Sequence, residues 1–482
     1  MNRSGQLKCL PELGVGIIYS PSIERIKFPE GLVDTLEIEP QTLCIRDKND
    51  QLIIPKEIFD AIAAMPYHKL VHSIGAPVGG TLSPAVDQLG LIQYAADIFK
   101  SPWVTEHLSF NAITEFNTGF FLPPCQTEKG LQQAIANVTC LQKAIDKPIA
   151  IETGVNYLRP NNKEMPDGRF VAELCRATGC GILLDIHNLF ANQLNGRQSI
   201  TDFLKAIPLE YVVEMHIAGG TELNDLWLDS HSGPIDKRLM AITKEILPSL
   251  TNLKEITYEI FDSYVPVVGD ALIISELEKI RGLWETRTIP YTVSEEEQLP
   301  PPVYHIQDLN KAFNPLEWED LLGNLVIGRK VADRFYEEDN RIAVYQKLIK
   351  EFRASMVARI FKLTTRYMML VLGMEVFSVI LNDFWKHFAP EQLSYKEARN
   401  FAAYLGHKNY KLPWLNRLLN YEVAILETLM DEQARIVHFD ADPTPMFNSL
   451  TKGRLPKKIG ELGNYEIEIT PESSTTAWMV FN

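Results

Sequence analysis

Five histidines and four carboxylates in the first 260 residues recur at the ends of apolar runs. His72 falls in Val-His-Ser and His107 in Thr-Glu-His-Leu. Glu152 falls in Ile-Ala-Ile-Glu-Thr-Gly, and Asp185 and His187 in Leu-Leu-Asp-Ile-His-Asn. His216 follows in Glu-Met-His-Ile-Ala-Gly, Asp229 and His231 in Trp-Leu-Asp-Ser-His-Ser-Gly-Pro, and Glu259 in Tyr-Glu-Ile-Phe-Asp. Asp185 and His187 are two apart, the spacing that shares one face of a strand, and Asp229 and His231 repeat it. Four carboxylates about 5 Å apart at an effective dielectric near 20 repel by roughly 3 kcal/mol per pair. Neutral imidazoles do not relieve that repulsion, whereas cations do. Imidazole with carboxylate suits zinc, iron, manganese and nickel. Nine such ligands are too many for one ion and fit two or three with bridging. A lone strand histidine is more often structural. Five of the six histidines before residue 300 lie in these places and only His68 does not, so the joint pattern carries the metal reading. Asn188, Glu106 and Glu39 are expected to support the ligands by hydrogen bonding.

These side chains need a scaffold that gathers strand ends. Strand-like apolar runs are expected at 13–19, 35–39, 69–75, 103–110, 148–153, 181–187, 211–217 and 255–261. Amphipathic helical stretches separate them, at 84–99, 129–145, 166–178, 234–247 and 270–283. Pro84, Pro166 and Pro234 suit first-turn positions. Eight β–α units over about 270 residues are the arithmetic of an α/β fold of the (β/α)8 TIM-barrel kind, with its chemistry at the C-terminal mouth. The barrel is expected over 1–290. Residues 291–303, with Glu295–Glu297 and Pro300–Pro302, have linker composition. Residues 304–482 are expected to form a mainly α-helical domain, with helices at 333–352, 354–370, 375–387, 395–405 and 413–433. A tail with short strands at 464–470 and 475–481 closes it.

Composition sets limits. The chain has 482 residues and a net charge of −15. The first 300 residues hold 25 basic and 39 acidic side chains, the rest 22 and 23. An acidic barrel half argues against a nucleic-acid partner and against an anionic membrane surface. Six cysteines without a paired spacing read as reduced thiols, and Cys125 as a passive one. The N-terminus lacks a signal-peptide core, and the apolar run 367–381 is short and holds Glu375. A cytoplasmic protein is expected. Nothing in the sequence sets its oligomeric state.

The chain resembles the multinuclear non-haem iron-dependent oxidases, xylose-isomerase-like TIM-barrel enzymes that modify ribosomally made peptides. The resemblance covers about residues 10–285. It rests on His72-Ser, Glu106-His107-Leu, Glu152, Leu184-Asp185-x-His187-Asn188, His216-Ile-Ala-Gly, Asp229-x-His231-x-x-Pro234 and Glu259. Thr153 stands where the family often has Asn. His187 stands where Asn is common, with Asn188 following, so both remain ligand alternatives. The resemblance implies two or three iron ions, a mixed-valent Fe(II)/Fe(III) pair as the active form, and dioxygen as co-substrate. It also implies a precursor peptide as substrate, whose cysteine binds one iron and loses hydrogen, commonly from its β-carbon. Residues 345–359, Leu412-Pro413-Trp414-Leu415 and Leu419-x-Tyr421-Glu422 resemble the helical partner proteins of these oxidases, here fused in cis. Two other readings stand beside this one. A metal-dependent hydrolase or sugar isomerase could use the same barrel, although no strand end supplies the lysine an isomerase wants. A non-catalytic scaffold would need the ligands to have lost their metal.

Overall fold

The computed structural model describes residues 3–47, 49–329 and 340–474. Contacts divide the chain into two units. The first runs to Cys44 and continues through Ile54–Phe110 and Phe121–Leu322. The second gathers Ile45–Ile53, Asn111–Phe120 and the chain from Gly323 onward.

The first unit is a closed parallel barrel of eight strands: β1 (Gly14–Ile18), β2 (Thr35–Ile38), β3 (His68–Ser73), β4 (Val104–His107), β5 (Ile149–Glu152), β6 (Gly181–Asp185), β7 (Val212–Ala218) and β8 (Glu255–Glu259). Each pairs with its sequence neighbours, and β8 closes on β1, with Gly14 opposite Glu255 and Ile17 opposite Tyr258. All eight fall where the apolar runs predict them. Burial on both faces explains why those runs are nearly continuous: Ile17, Ile38, Val71, Ile151, Leu183, Val213 and Ile256 are all buried.

The helices Val86–Ile98, Glu128–Ala144, Asp167–Thr178, Lys237–Ile246 and Asp270–Glu285 also fall where expected. The prolines do not sit in first turns. Pro166 is the residue just before its helix, with φ −54° and ψ 143°, and Pro84 and Pro234 lie further upstream. A ring that fixes φ near −65° suits this extended lead-in as well as it suits the first turn. Residues 291–303, expected as a linker, belong to the first unit. Gln193 donates to the Pro300 carbonyl at 3.1 Å there.

The helices of the second unit include Asn340–Ile360, Lys362–Leu372, Met374–His387, Ser394–Lys408, Leu415–Asp431 and the short Thr444–Leu450. Residues 333–339 of the first expected helix lie outside the described residues. No break occurs at residue 353. The Arg353 guanidinium is instead buried against Glu397 at 2.6 Å, and the break comes at Phe361. There Glu422 accepts the free backbone N–H groups of Leu363 (2.6 Å) and Thr364 (2.9 Å), which a helix start leaves without partners. Leu462–Ile469 forms the expected strand and pairs antiparallel with Arg435–Ala441, a strand the sequence pattern did not signal. The expected strand at 475–481 lies outside the described residues. Trp414, Leu415 and Leu419, part of the partner-like motif, are buried in this unit's core with Phe384 and Phe401. Among the described residues no helix is long and apolar enough to cross a membrane.

Candidate metal centre

Strand register brings the predicted side chains to one end of the barrel. His107, Glu152, Asp185 and Glu259 are the last residues of β4, β5, β6 and β8, while His72 and His216 stand late in β3 and β7. Asp229 and His231 come from the loop after the Leu226–Leu228 strand. His231 has φ 42°, a left-handed backbone uncommon for a residue with a side chain. Its carbonyl accepts from Phe261 N–H, and Ser232 N–H donates to the Gly219 carbonyl, both at 3.0 Å, so the surrounding chain holds the strained turn in place.

Hydrogen bonding fixes which nitrogen of each ring remains available. Nδ1 of His107 lies 3.1 Å from the Ser73 carbonyl, which only accepts, so that nitrogen carries the proton. Its Nε2 lone pair then faces Glu152 Oε2 at 2.8 Å. Thr105 Oγ1 points to the Val71 carbonyl at 3.4 Å and takes His72 Nδ1–H at 2.7 Å. His72 Nε2 is thereby left 3.5 Å from the same Glu152 oxygen. Glu37 Oε2 accepts from His216 Nε2 at 2.9 Å, which turns His216 Nδ1 toward Glu259 Oε1 at 3.2 Å. His231 Nε2 stands 2.7 Å from Asp229 Oδ1 and 3.5 Å from Glu259 Oε2. His216 Nδ1, His231 Nε2, Glu152 Oε2 and Glu259 Oε2 are all buried without an aligned hydrogen bond. Lone pairs facing one another at these distances require a cation or a proton between them, and this donor set fits metal ions.

His187 differs. It lies in the first turn of the helix Ile186–Leu194 rather than on a strand, because β6 ends at Asp185, whose carboxylate caps that helix. Trp227 Nε1 donates to His187 Nε2 at 3.0 Å, and His187 Nδ1 meets Asp229 Oδ1 at 3.0 Å. Asn188 donates through Nδ2 to Asp185 Oδ2 at 2.6 Å and fixes that carboxylate. Glu106 accepts from Ser73 Oγ (2.6 Å) and the Ala76 N–H (2.9 Å), tying β4 to β3 and the turn beyond it.

Electrostatics follow from that crowding. Burial works against charging His107, yet the Glu152 and Glu106 carboxylates lift its pKa well above the usual imidazole value. Burial likewise opposes charging His231, and Asp229 and Glu259 push it up to about 10. Burial opposes ionising Glu259, but His216 and His231 bring it down to about 2. Asp185 is raised well above the carboxylate range by burial and then by Asp229 and Glu259. Metal-free, the cluster therefore gathers protons, which a bound cation replaces.

Among the described residues, groups whose ligand atoms lie within 4.8 Å of one another include His72–His107–Glu152, Glu152–Asp185–His216 and Asp185–His231–Glu259. Glu37–His72–His216 and Glu37–Glu214–Glu255 meet the same limit. Glu37, Glu214 and Glu255 were missed by the sequence reading, which chose Glu39. Glu39 lies past the end of β2, ahead of the short 3₁₀ helix Pro40–Leu43. The signal was present: Glu214 precedes His216 by two, and Glu255 precedes Thr257 by two and Glu259 by four. All of these are inward positions on single strands.

A family model described as RiPP precursor modification enzyme MbnB/TglH/ChrH matches residues 15–284. A UPF0276 protein of Caulobacter vibrioides is 26% identical over 230 residues, covering 48% of this chain and 80% of that protein. A UPF0276 protein of Rhizobium meliloti is 32% identical over 176 residues, covering 35% of this chain and 56% of its own length. Among solved structures, a xylose isomerase domain protein from Planctomyces limnophilus aligns over 57% of this chain and 98% of its own, with 14% identity and a TM-score of 0.37. The matched segment spans the barrel from β1 to β8 and takes in the whole candidate centre, and this chain belongs to the MbnB/TglH/ChrH family of enzymes that modify RiPP precursors, ribosomally made peptides altered after synthesis.

Proposed function

We propose that the chain is a multinuclear non-haem iron oxidase that uses dioxygen to modify a ribosomally made precursor peptide at cysteine. The observation that carries this reading is the set of fixed tautomers. His72 and His107 aim Nε2 at Glu152, and His216 aims Nδ1 at Glu259. With Asp185, Asp229 and His231 these groups would hold two or three irons. Bound iron would supply oxygen activation and a soft site for a peptide thiolate.

The chain's own residues supply the rest. Glu37 and the Ser73 carbonyl hold ring protons on the far side of His216 and His107, so the lone pairs stay directed inward without reorganisation. Phe121 stacks on His107 with ring centroids 4.0 Å apart and limits water on that side. The helical second unit would recruit the precursor, a role that rests on its resemblance to separate partner proteins.

The test is anaerobic purification, metal analysis and incubation with a cysteine-containing precursor peptide. A mass change that needs both iron and dioxygen is expected. Turnover by a zinc-only enzyme, or turnover without oxygen, contradicts the reading.

A further inference from the structure

Three glutamates in the barrel interior lie deeper than the residues at the mouth. Glu37 is the third residue of β2, Glu214 the third of β7 and Glu255 the first of β8, and all three are fully buried. Their arrangement repeats. In each, one oxygen is held by a donor and the other lacks an aligned hydrogen bond. Glu37 Oε2 takes His216 Nε2 at 2.9 Å, and Oε1 has no aligned hydrogen bond, with His72 Nδ1 3.7 Å away. Glu214 Oε2 takes the Trp103 indole N–H, and Oε1 has no aligned hydrogen bond, with His216 Nε2 3.4 Å away. Glu255 Oε1 takes Thr257 Oγ1 at 2.7 Å, and Oε2 is unpartnered. The three carboxylates offer ligand atoms within 4.8 Å of one another. Beside them β1 carries Gly16, where a Cβ would fall 1.8 Å from Glu255 Oε1, so the strand leaves this space for the carboxylate.

We propose that Glu37, Glu214 and Glu255 form a separate divalent-cation site on the barrel floor. Three anchored carboxylates, each with one oxygen lacking an aligned hydrogen bond and none exposed to water, need a neutralising charge at this spacing. An all-oxygen set selects a hard cation, of the magnesium, calcium or manganese class, over the softer metals that imidazole favours. The floor cation is a structural one, and it also fixes Glu37, which orients His216. The proposal does not depend on the metal at the mouth or on the reaction performed there.

Manganese(II) is the probe. The full chain is stripped with chelator, reloaded and crystallised, and anomalous scattering locates the ions. A peak in contact with all three glutamates is expected. Glu255→Gln should lose one bound manganese per chain by mass-spectrometric metal analysis while the mouth keeps its own. Protons are the competing neutraliser, and glutamine mimics a protonated glutamate. Equal metal content in Glu255→Gln and wild type, or a bare floor in the wild-type map, overturns the proposal. Should the variant fail to fold, the wild-type map alone decides. A floor peak with an empty mouth would contradict the proposed function and leave this site standing.

Discussion

His187 Nδ1 stands 3.0 Å from Asp229 Oδ1 and carries the proton between them. The proof lies on the other side of the ring, where Trp227 Nε1, which can only donate, meets His187 Nε2 at 3.0 Å. Both nitrogens are therefore occupied. His187 positions Asp229, and Asp229 in turn meets His231 at 2.7 Å. Unlike His72, His107, His216 and His231, it presents no free lone pair to the cluster.

His187→Gln should accordingly weaken metal affinity by about 10- to 100-fold, the usual effect of losing a partner that orients a ligand. His231→Ala should reduce the number of bound metals. Titration of iron into the anaerobic apo-proteins, with metal counted per chain, separates the two. Loss of one whole metal in His187→Gln would make it a ligand after all.

The same relay can be disturbed from outside. A Cβ on Gly220 would lie 2.3 Å from Trp227 Nε1 and 2.5 Å from His187 Nε2. Gly220→Ala should destabilise the barrel by about 1–3 kcal/mol through overpacking and should loosen Asp229. Chemical denaturation of the metal-free protein measures the first effect. An unchanged midpoint would mean that the indole and imidazole are free to move apart.

Acid dependence in the helical unit turns on Glu422. Burial raises its pKa from 4.5 to about 7, against the backbone N–H groups that favour its charge. A folded-state pKa above the unfolded one means that protonation favours the fold. That contribution is complete below about pH 4.5 and is lost as pH rises through 7. Hydrogen exchange of the helix Lys362–Leu372 should therefore quicken from pH 4.5 to 7 beyond its intrinsic rate. Glu422→Gln should flatten that dependence, and a steep dependence retained in the variant would assign it to another group.

How much of this was legible in the sequence depends on period. The eight strands were, because parallel strands buried on both faces leave unbroken apolar runs. Asp185 and His187 misled, since a two-residue spacing means a shared face only while the strand lasts, and Asp185 is where β6 stops. Applied instead to Glu214–His216 and Glu255–Glu259, which do lie within single strands, the same rule points to the floor carboxylates. The excess acid of the barrel half is therefore not only solvated surface, because Glu37, Glu106, Glu214 and Glu255 are all fully buried. The ring tautomers were beyond any sequence pattern, since the Ser73 carbonyl, Thr105, Glu37 and Trp227 that set them come from other strands and loops.

The most direct test of the account is metal counting on anaerobically purified protein, wild type beside Glu259→Ala and His216→Ala. Two or three irons at the mouth of the wild-type barrel, with fewer in both variants, are predicted. Iron content unchanged by either substitution would contradict the assignment of the centre.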